Sequence, residues 1–160
     1  MKVASVDVGF IELPEQIMLN IYAVGCKKNC KDCHNPDLRN FNYKKSYELT
    51  DEVFETKLKL CSGLIDGVCW LGGDAVYQED RLINLSNLIK KHGNLVNCLF
   101  TGLKLQEVSN NIKEVMDVIV DGEWNGKKLD EKDTSQTIWV KSKDNWMKTT
   151  YEEFKTVKKA

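Results

Sequence analysis

The sequence lacks an excess of charge of either sign: 23 lysines and arginines stand against 24 aspartates and glutamates. A chain so balanced has no basic footprint for nucleic acid, and none is expected as a partner. It also lacks any apolar run near the ~18 residues of a membrane span. The opening residues 1–6 are too short and too polar for a signal peptide. No membrane association is therefore expected, and the expected location is cytoplasmic, where thiols stay reduced. No Walker loop, nucleophile elbow or complete G-x-G-x-x-G occurs. There is no internal repeat, low-complexity segment or obvious linker. The 160 residues are expected to form one domain spanning 1–160, long enough for a real core.

What the sequence has is cysteine. Six are present, and in a reducing compartment they read as metal ligands plus buried thiols rather than a disulfide framework. Three of them, Cys26, Cys30 and Cys33, follow one another as C-x3-C-x2-C directly after an apolar stretch over residues 17–24. Three close thiolates suit an iron–sulfur cube with one iron left open, because an electron-transfer cluster normally takes four cysteines. A zinc site is the competing reading, but structural zinc takes four ligands in a closed site. His34 is a poor fourth ligand because it adjoins Cys33. Cys61 reads as a helix core thiol, and Cys69 and Cys98 fall inside strand patterns, where small buried thiols are common.

Hydropathy places these residues on an alternating framework. Val6, Val8 and Phe10 suggest a short strand, which Leu13-Pro14-Glu15 breaks. Residues 17–24 are apolar enough for burial on both faces. Residues 35–49 read as irregular. Thr50 caps a helix over 51–61 with Val53, Phe54, Leu58 and Cys61 along one side. A strand over 67–71 runs into Gly72-Gly73-Asp74. A helix follows over 79–91, with His92 at its end and Gly93 as its stop. Strands at 95–101, 116–120 and 137–140 alternate with a short helix over 105–112 and a charged loop over 124–135. Thr150-Tyr151-Glu152-Glu153 opens a C-terminal helix with Tyr151, Phe154 and Val157 inward. Strand and helix in alternation predict an α/β fold with a mainly parallel sheet of about five strands. Too few βα units are present to close an eight-fold barrel, so an open, partial (βα) barrel fits.

Other residues carry two readings each. Gly72-Gly73-Asp74 alone is a plain strand-to-helix turn. At the strand end next to the cysteine loop, it is a place where backbone approaches a ligand and Asp74 offers a carboxylate to an ammonium. Lys27, Lys28 and Lys31 interleave with the cysteines. They would steady a reduced anionic cluster and dock an acidic electron donor, or they are a solvated basic loop. His34 and Asn35 are placed to contact a ligand over the cluster. Trp70, Trp124, Trp139 and Trp146 are scattered and read as packing.

The cysteine loop resembles the signature of the radical S-adenosylmethionine enzymes. Cys33-His34-Asn35-Pro36, Leu71-Gly72-Gly73-Asp74, Phe100-Thr101-Gly102 with Leu105-Gln106-Glu107, and Val118-Ile119-Val120-Asp121-Gly122 occur in order. Together with the chain length they are similar to the activating protein of the anaerobic (class III) ribonucleotide reductase. Pyruvate formate-lyase activases share the loop but are usually longer. The chain departs from the pattern at Asp32, where many members carry an aromatic residue. It also lacks a Gly-Pro-Gly lead-in, and Thr134-Ser135-Gln136 stands where Ser-Asn-Gln is common.

The resemblance implies that Cys26, Cys30 and Cys33 hold a [4Fe-4S] cluster whose open iron binds S-adenosylmethionine. Gly72, Gly73, Asp74 and Thr101 would line that ligand, and His34 would cover its base. Reductive cleavage would give methionine and a 5'-deoxyadenosyl radical, which takes a hydrogen from a glycine in the large glycyl-radical subunit of the reductase. A low-potential donor such as flavodoxin or ferredoxin would supply the electron. Within the resemblance no side chain is implied as general acid or base. A small iron–sulfur electron carrier and a radical enzyme acting on a small molecule are the alternatives.

Overall fold

The computed structural model describes residues 1–157 of the chain. Strand β1 (Lys2–Gly9) runs antiparallel to β2 (Met18–Ala23). A two-residue strand β3 (Tyr47–Glu48) pairs with the start of β1. Helix α1 (Asp51–Leu60) begins where the Thr50 hydroxyl accepts the Val53 N–H, as the cap pattern predicts. Then come β4 (Gly67–Gly72), α2 (Glu79–Ile89), β5 (Val96–Phe100), α3 (Asn110–Val115) and β6 (Val118–Asp121). Strands β7 (Thr137–Ser142) and β8 (Asn145–Thr149) form a hairpin, and α4 (Tyr151–Val157) closes the described chain.

All eight strands lie in one sheet, ordered β3-β1-β2-β4-β5-β6-β7-β8. This corrects the expectation of about five mainly parallel strands. Parallel pairing holds for β2–β4, β4–β5 and β5–β6. The four remaining pairings are antiparallel. Helical crossovers make the centre parallel, while connections without a helix fold β1 and the β7–β8 hairpin back antiparallel on either side of it. Strand β8 escapes the hydropathy pattern because Asn145-Trp146-Met147-Lys148-Thr149 is an edge strand with mostly exposed side chains. Lys143 makes its turn at φ 55°.

One face of the sheet carries Leu19, Ile21, Val68, Trp70, Leu99 and Ile119. Phe54 and Leu58 of α1, Leu82, Leu85 and Ile89 of α2, and Ile112 and Val115 of α3 cover it. On the other face Met18, Cys69, Cys98, Val118, Val120 and Ile138 pack with Leu13 and with Phe154 of α4. Strand β2 is thus buried on both sides, which explains its continuous apolar run. The α4 capping box is present: Thr150 Oγ1 accepts the Glu153 N–H at 3.2 Å, and Glu153 accepts the Thr150 N–H at 3.1 Å. The Val157 side chain, expected inward, is outside the described part of α4.

The helix expected over 105–112 is split. A 3₁₀ turn (Leu105–Glu107) ends at Val108, whose backbone is extended, and Ser109 restarts the chain by capping α3 through the Ile112 N–H. Asp121 Oδ2 anchors that turn by accepting the Leu105 N–H at 2.7 Å. Helix α2 passes into a 3₁₀ turn (Lys90–His92) that ends at Gly93, φ 96°. There His92 faces Glu55 at 3.5 Å. Among the described residues, no helix is long and apolar enough to cross a membrane.

Candidate functional site

The C-terminal ends of β2, β4, β5 and β6 share one edge of the sheet, and the cysteine loop leaves from the first of them. The loop is held by backbone. Gly25 N donates to Leu38 O at 2.7 Å and Cys26 N to Arg39 O at 3.1 Å. The 3₁₀ turn (Pro36–Arg39) is thereby tied to the loop's start. The Arg39 guanidinium also donates to Asn29 Oδ1 across the loop. Asp32 sits at φ 58° just before Cys33. Aspartate tolerates that left-handed conformation better than an aromatic residue does.

Cys26, Cys30 and Cys33 are all free and half-buried. Burial pushes the Cys26 thiol up, the Lys28 N–H on its sulfur at 3.4 Å pulls it down, and Asp74, Cys30 and Cys33 push it up again. The three thiols are close enough to feel one another. Yet among the described residues no three of His, Cys, Asp and Glu converge to hold a single metal ion. A closed zinc site needs four ligands at about 2.0–2.3 Å, whereas a cluster spreads its thiolates over separate irons. The donor set of three free thiols on one loop fits the cluster.

The glycines answer to the chain's own backbone. Gly72 has φ +103°, and a Cβ there would lie 2.3 Å from Ala23 O. A Cβ on Gly73 would lie 2.5 Å from Leu38 O and 2.7 Å from Gly25 O. Gly73 N donates to Ala23 O at 2.7 Å, and Asp74 N to Gly25 O at 2.8 Å. The turn after β4 is therefore stitched against the root of the cysteine loop. The close approach expected for a ligand is used first by β2 and that loop.

Asp74 is 1% exposed. Its Oδ2 accepts the Thr101 hydroxyl at 2.8 Å and the Gly102 N–H at 2.9 Å, while Oδ1 caps the 3₁₀ turn (Ala75–Gln78) through the Val76 N–H. Burial raises its pKa to about 6 against the pull of these donors. Asp74 and Thr101, both singled out in the sequence, are thus brought into direct contact. The contact braces the ends of β4 and β5, so Asp74 is not a free carboxylate awaiting an ammonium.

Two of the three loop lysines are engaged within the chain. Lys28 Nζ pairs with Glu123 at 3.1 Å, and that carboxylate raises the lysine's pKa. Lys27 Nζ lies 5.5 Å from the centre of the Tyr77 ring. Lys31 is exposed. Tyr77 meets Phe41 at 6.1 Å, and Phe41 covers Gly25, where no Cβ would fit beneath the ring. His34 packs edge-on against Trp124, ring centres 4.1 Å apart. The sequence reading misses Glu123, Tyr77 and Phe41 and takes Trp124 as packing. The signal for Glu123 and Trp124 was their place directly after Asp121-Gly122, at the same strand edge.

The remaining cysteines are structural. Cys69 and Cys98 are register partners on β4 and β5, both buried, and burial pushes the Cys69 thiol well up, with Cys98 adding to it. Cys61 caps the end of α1, half-buried against the core.

Comparison with known proteins points to an iron–sulfur cluster. A family described as "4Fe-4S single cluster domain" matches residues 16–151. The pyruvate formate-lyase-activating enzyme of Streptococcus mutans is 34% identical over 76 residues, 46% of this chain and 29% of that relative. Its counterpart in Clostridium pasteurianum is 34% identical over 77 residues, 46% of this chain and 32% of the relative. The alignment thus spans about a third of the length of either relative.

Proposed function

Because the chain belongs to the 4Fe-4S single cluster domain family, we propose that it is a radical S-adenosylmethionine activase that generates a glycyl radical on a partner protein. The carrying observation is the set of three free thiols on one loop, rooted against the Gly72–Asp74 turn. Both curated relatives are named as activating enzymes. Residues 1–160 act as one domain, and the parallel strands β2, β4, β5 and β6 are the core of a partial, open (βα) barrel.

Cys26, Cys30 and Cys33 would hold three irons of a [4Fe-4S] cluster and leave the fourth to S-adenosylmethionine. When bound, the cluster supplies the low-potential electron that cleaves the ligand's sulfonium, and hydrogen abstraction from a glycine of the partner follows. The protein's part is ligation, orientation and exclusion of water. Gly72, Gly73 and Thr101 border the amino-acid end of the ligand. Asp74 braces that border and places negative charge beneath it. Phe41 and Tyr77 shield the root of the loop, and His34 flanks its far side.

The partner we propose is the large glycyl-radical subunit of an anaerobic ribonucleotide reductase. The ordered motifs from Cys33-His34-Asn35-Pro36 to Asp121-Gly122 support it. The electron donor would be a flavodoxin or ferredoxin, and the place of work the cytoplasm.

The test is anaerobic reconstitution followed by electron paramagnetic resonance of the reduced protein with and without S-adenosylmethionine. The activase should give a [4Fe-4S]+ signal that changes on adding the ligand, together with methionine and 5'-deoxyadenosine. An unchanged signal would mark an electron carrier, and bound zinc without a cluster would sink the proposal. Offering the reductase subunit and pyruvate formate-lyase in parallel, and reading the glycyl radical on each, identifies the partner.

A further inference from the structure

We infer that Trp124 contacts the ligand: its indole N–H donates to an acceptor atom on the adenosyl group of S-adenosylmethionine, an inference that rests on the activase proposal. Among the described residues the Trp124 Nε1 is shielded from solvent and has no hydrogen-bond partner. Indole nitrogen is a donor only, and a shielded donor without an acceptor is destabilising. An acceptor outside the polypeptide would satisfy it.

The loop that carries Trp124 is built to hold it there. Gly122 turns at φ +102°, its N–H donates to Leu103 O at 3.0 Å, and a Cβ on it would meet Ser135 O at 2.7 Å. The Ser135 hydroxyl donates back to Glu123 O, and Asn125 Nδ2 to Asp133 O at 2.9 Å. The loop therefore closes on itself just beyond Trp124. Glu123 then pins it to Lys28 of the cysteine loop at 3.1 Å, and the Trp124 ring lies 4.1 Å from that of His34, the neighbour of Cys33. Trp139 also has an unpartnered indole N–H, but it packs against the hydrophobic core on the helix-bearing face.

The nucleoside end of the ligand fits this place better than the amino-acid end. Gly72–Asp74 and Thr101 stand at the ends of β4 and β5, while Trp124 follows β6 and reaches His34. A ligand with its amino-acid end at the former extends its base toward the latter. Adenine offers ring nitrogens as acceptors and a flat face to aromatic neighbours.

The test uses the full chain, reconstituted without oxygen, as wild type and Trp124→Phe, which keeps a ring and removes the N–H. Iron and sulfide content are measured first. Dissociation constants for S-adenosylmethionine, 5'-deoxyadenosine and methionine then follow by anaerobic equilibrium dialysis. Trp124→Phe should keep its cluster, bind S-adenosylmethionine and 5'-deoxyadenosine about fivefold more weakly, the effect of one neutral hydrogen bond, and bind methionine within about twofold of the wild type. Unchanged binding of S-adenosylmethionine would mean that the N–H faces only the His34 ring, and would overturn the inference. So would an equal loss for methionine, or loss of the cluster itself, which would make Trp124 a structural clamp. A wild type that binds its cluster but no S-adenosylmethionine overturns the activase proposal, and the inference with it.

Discussion

The Thr101 hydroxyl donates to Asp74 Oδ2 at 2.8 Å inside the protein, tying the end of β5 to the end of β4. Thr101→Val removes this donor and leaves Gly102 N–H alone on that oxygen. Stability should fall by about 1–3 kcal/mol, the cost of a buried acceptor losing a partner. Thr101→Ser should keep most of it. Urea unfolding of the three proteins measures the difference.

Asp74 should make stability depend on pH in an unusual direction for a carboxylate. Burial lifts its pKa from 3.8 to about 6 in the folded protein. Between those values the folded chain holds a proton that the unfolded chain has released, so stability is greatest below the lower value and falls as pH rises through about 6. The gap corresponds to ~3 kcal/mol. Asp74→Asn should remove this slope, and melting curves across pH 5 to 7 would show it as a wild-type Tm that falls while the variant's stays level. Parallel slopes would assign the titration to another group.

Gly73→Ala should loosen the cysteine loop. The new methyl would lie 2.5 Å and 2.7 Å from two backbone carbonyls that cannot swing aside. Overpacking of this kind costs about 1–3 kcal/mol, and the strain falls on Gly25, next to Cys26. Reconstituted iron per chain should drop. Gly102→Ala is the control, since its tightest Cβ contact is the flexible Lys28 Cγ at 3.2 Å, with Asp74 Oδ2 at an ordinary 3.9 Å.

The six cysteines should divide cleanly in a replacement series read by iron content. Alanine at Cys26, Cys30 or Cys33 should each abolish the cluster. Alanine at Cys61 should leave iron unchanged, because that thiol ends α1 and faces the core. Cys98→Ala should also keep its iron while losing stability, since Cys98 is fully buried beside Cys69. Iron lost from Cys61→Ala or Cys98→Ala would point to a fourth protein ligand and to an electron carrier.

The sequence by itself determined what local chemistry can carry. The C-x3-C-x2-C spacing marked out the candidate cluster loop, because ligands that share a metal group lie close in the chain. The buried run of β2, the Thr50 cap and the Thr150–Glu153 box were legible, since each depends on neighbours a few residues away. Only the tertiary structure decided the sheet's edges. Strand β8 has no apolar face of its own, and β1 and β7 take their antiparallel direction from pairing rather than from composition. The site's long-range partners were equally invisible. Lys28 meets Glu123, His34 meets Trp124, and Asp74 turns inward to Thr101 across gaps of many residues. Only packing the strand ends side by side closes those distances, and burial, which no spacing encodes, then sets the charge that Asp74 carries.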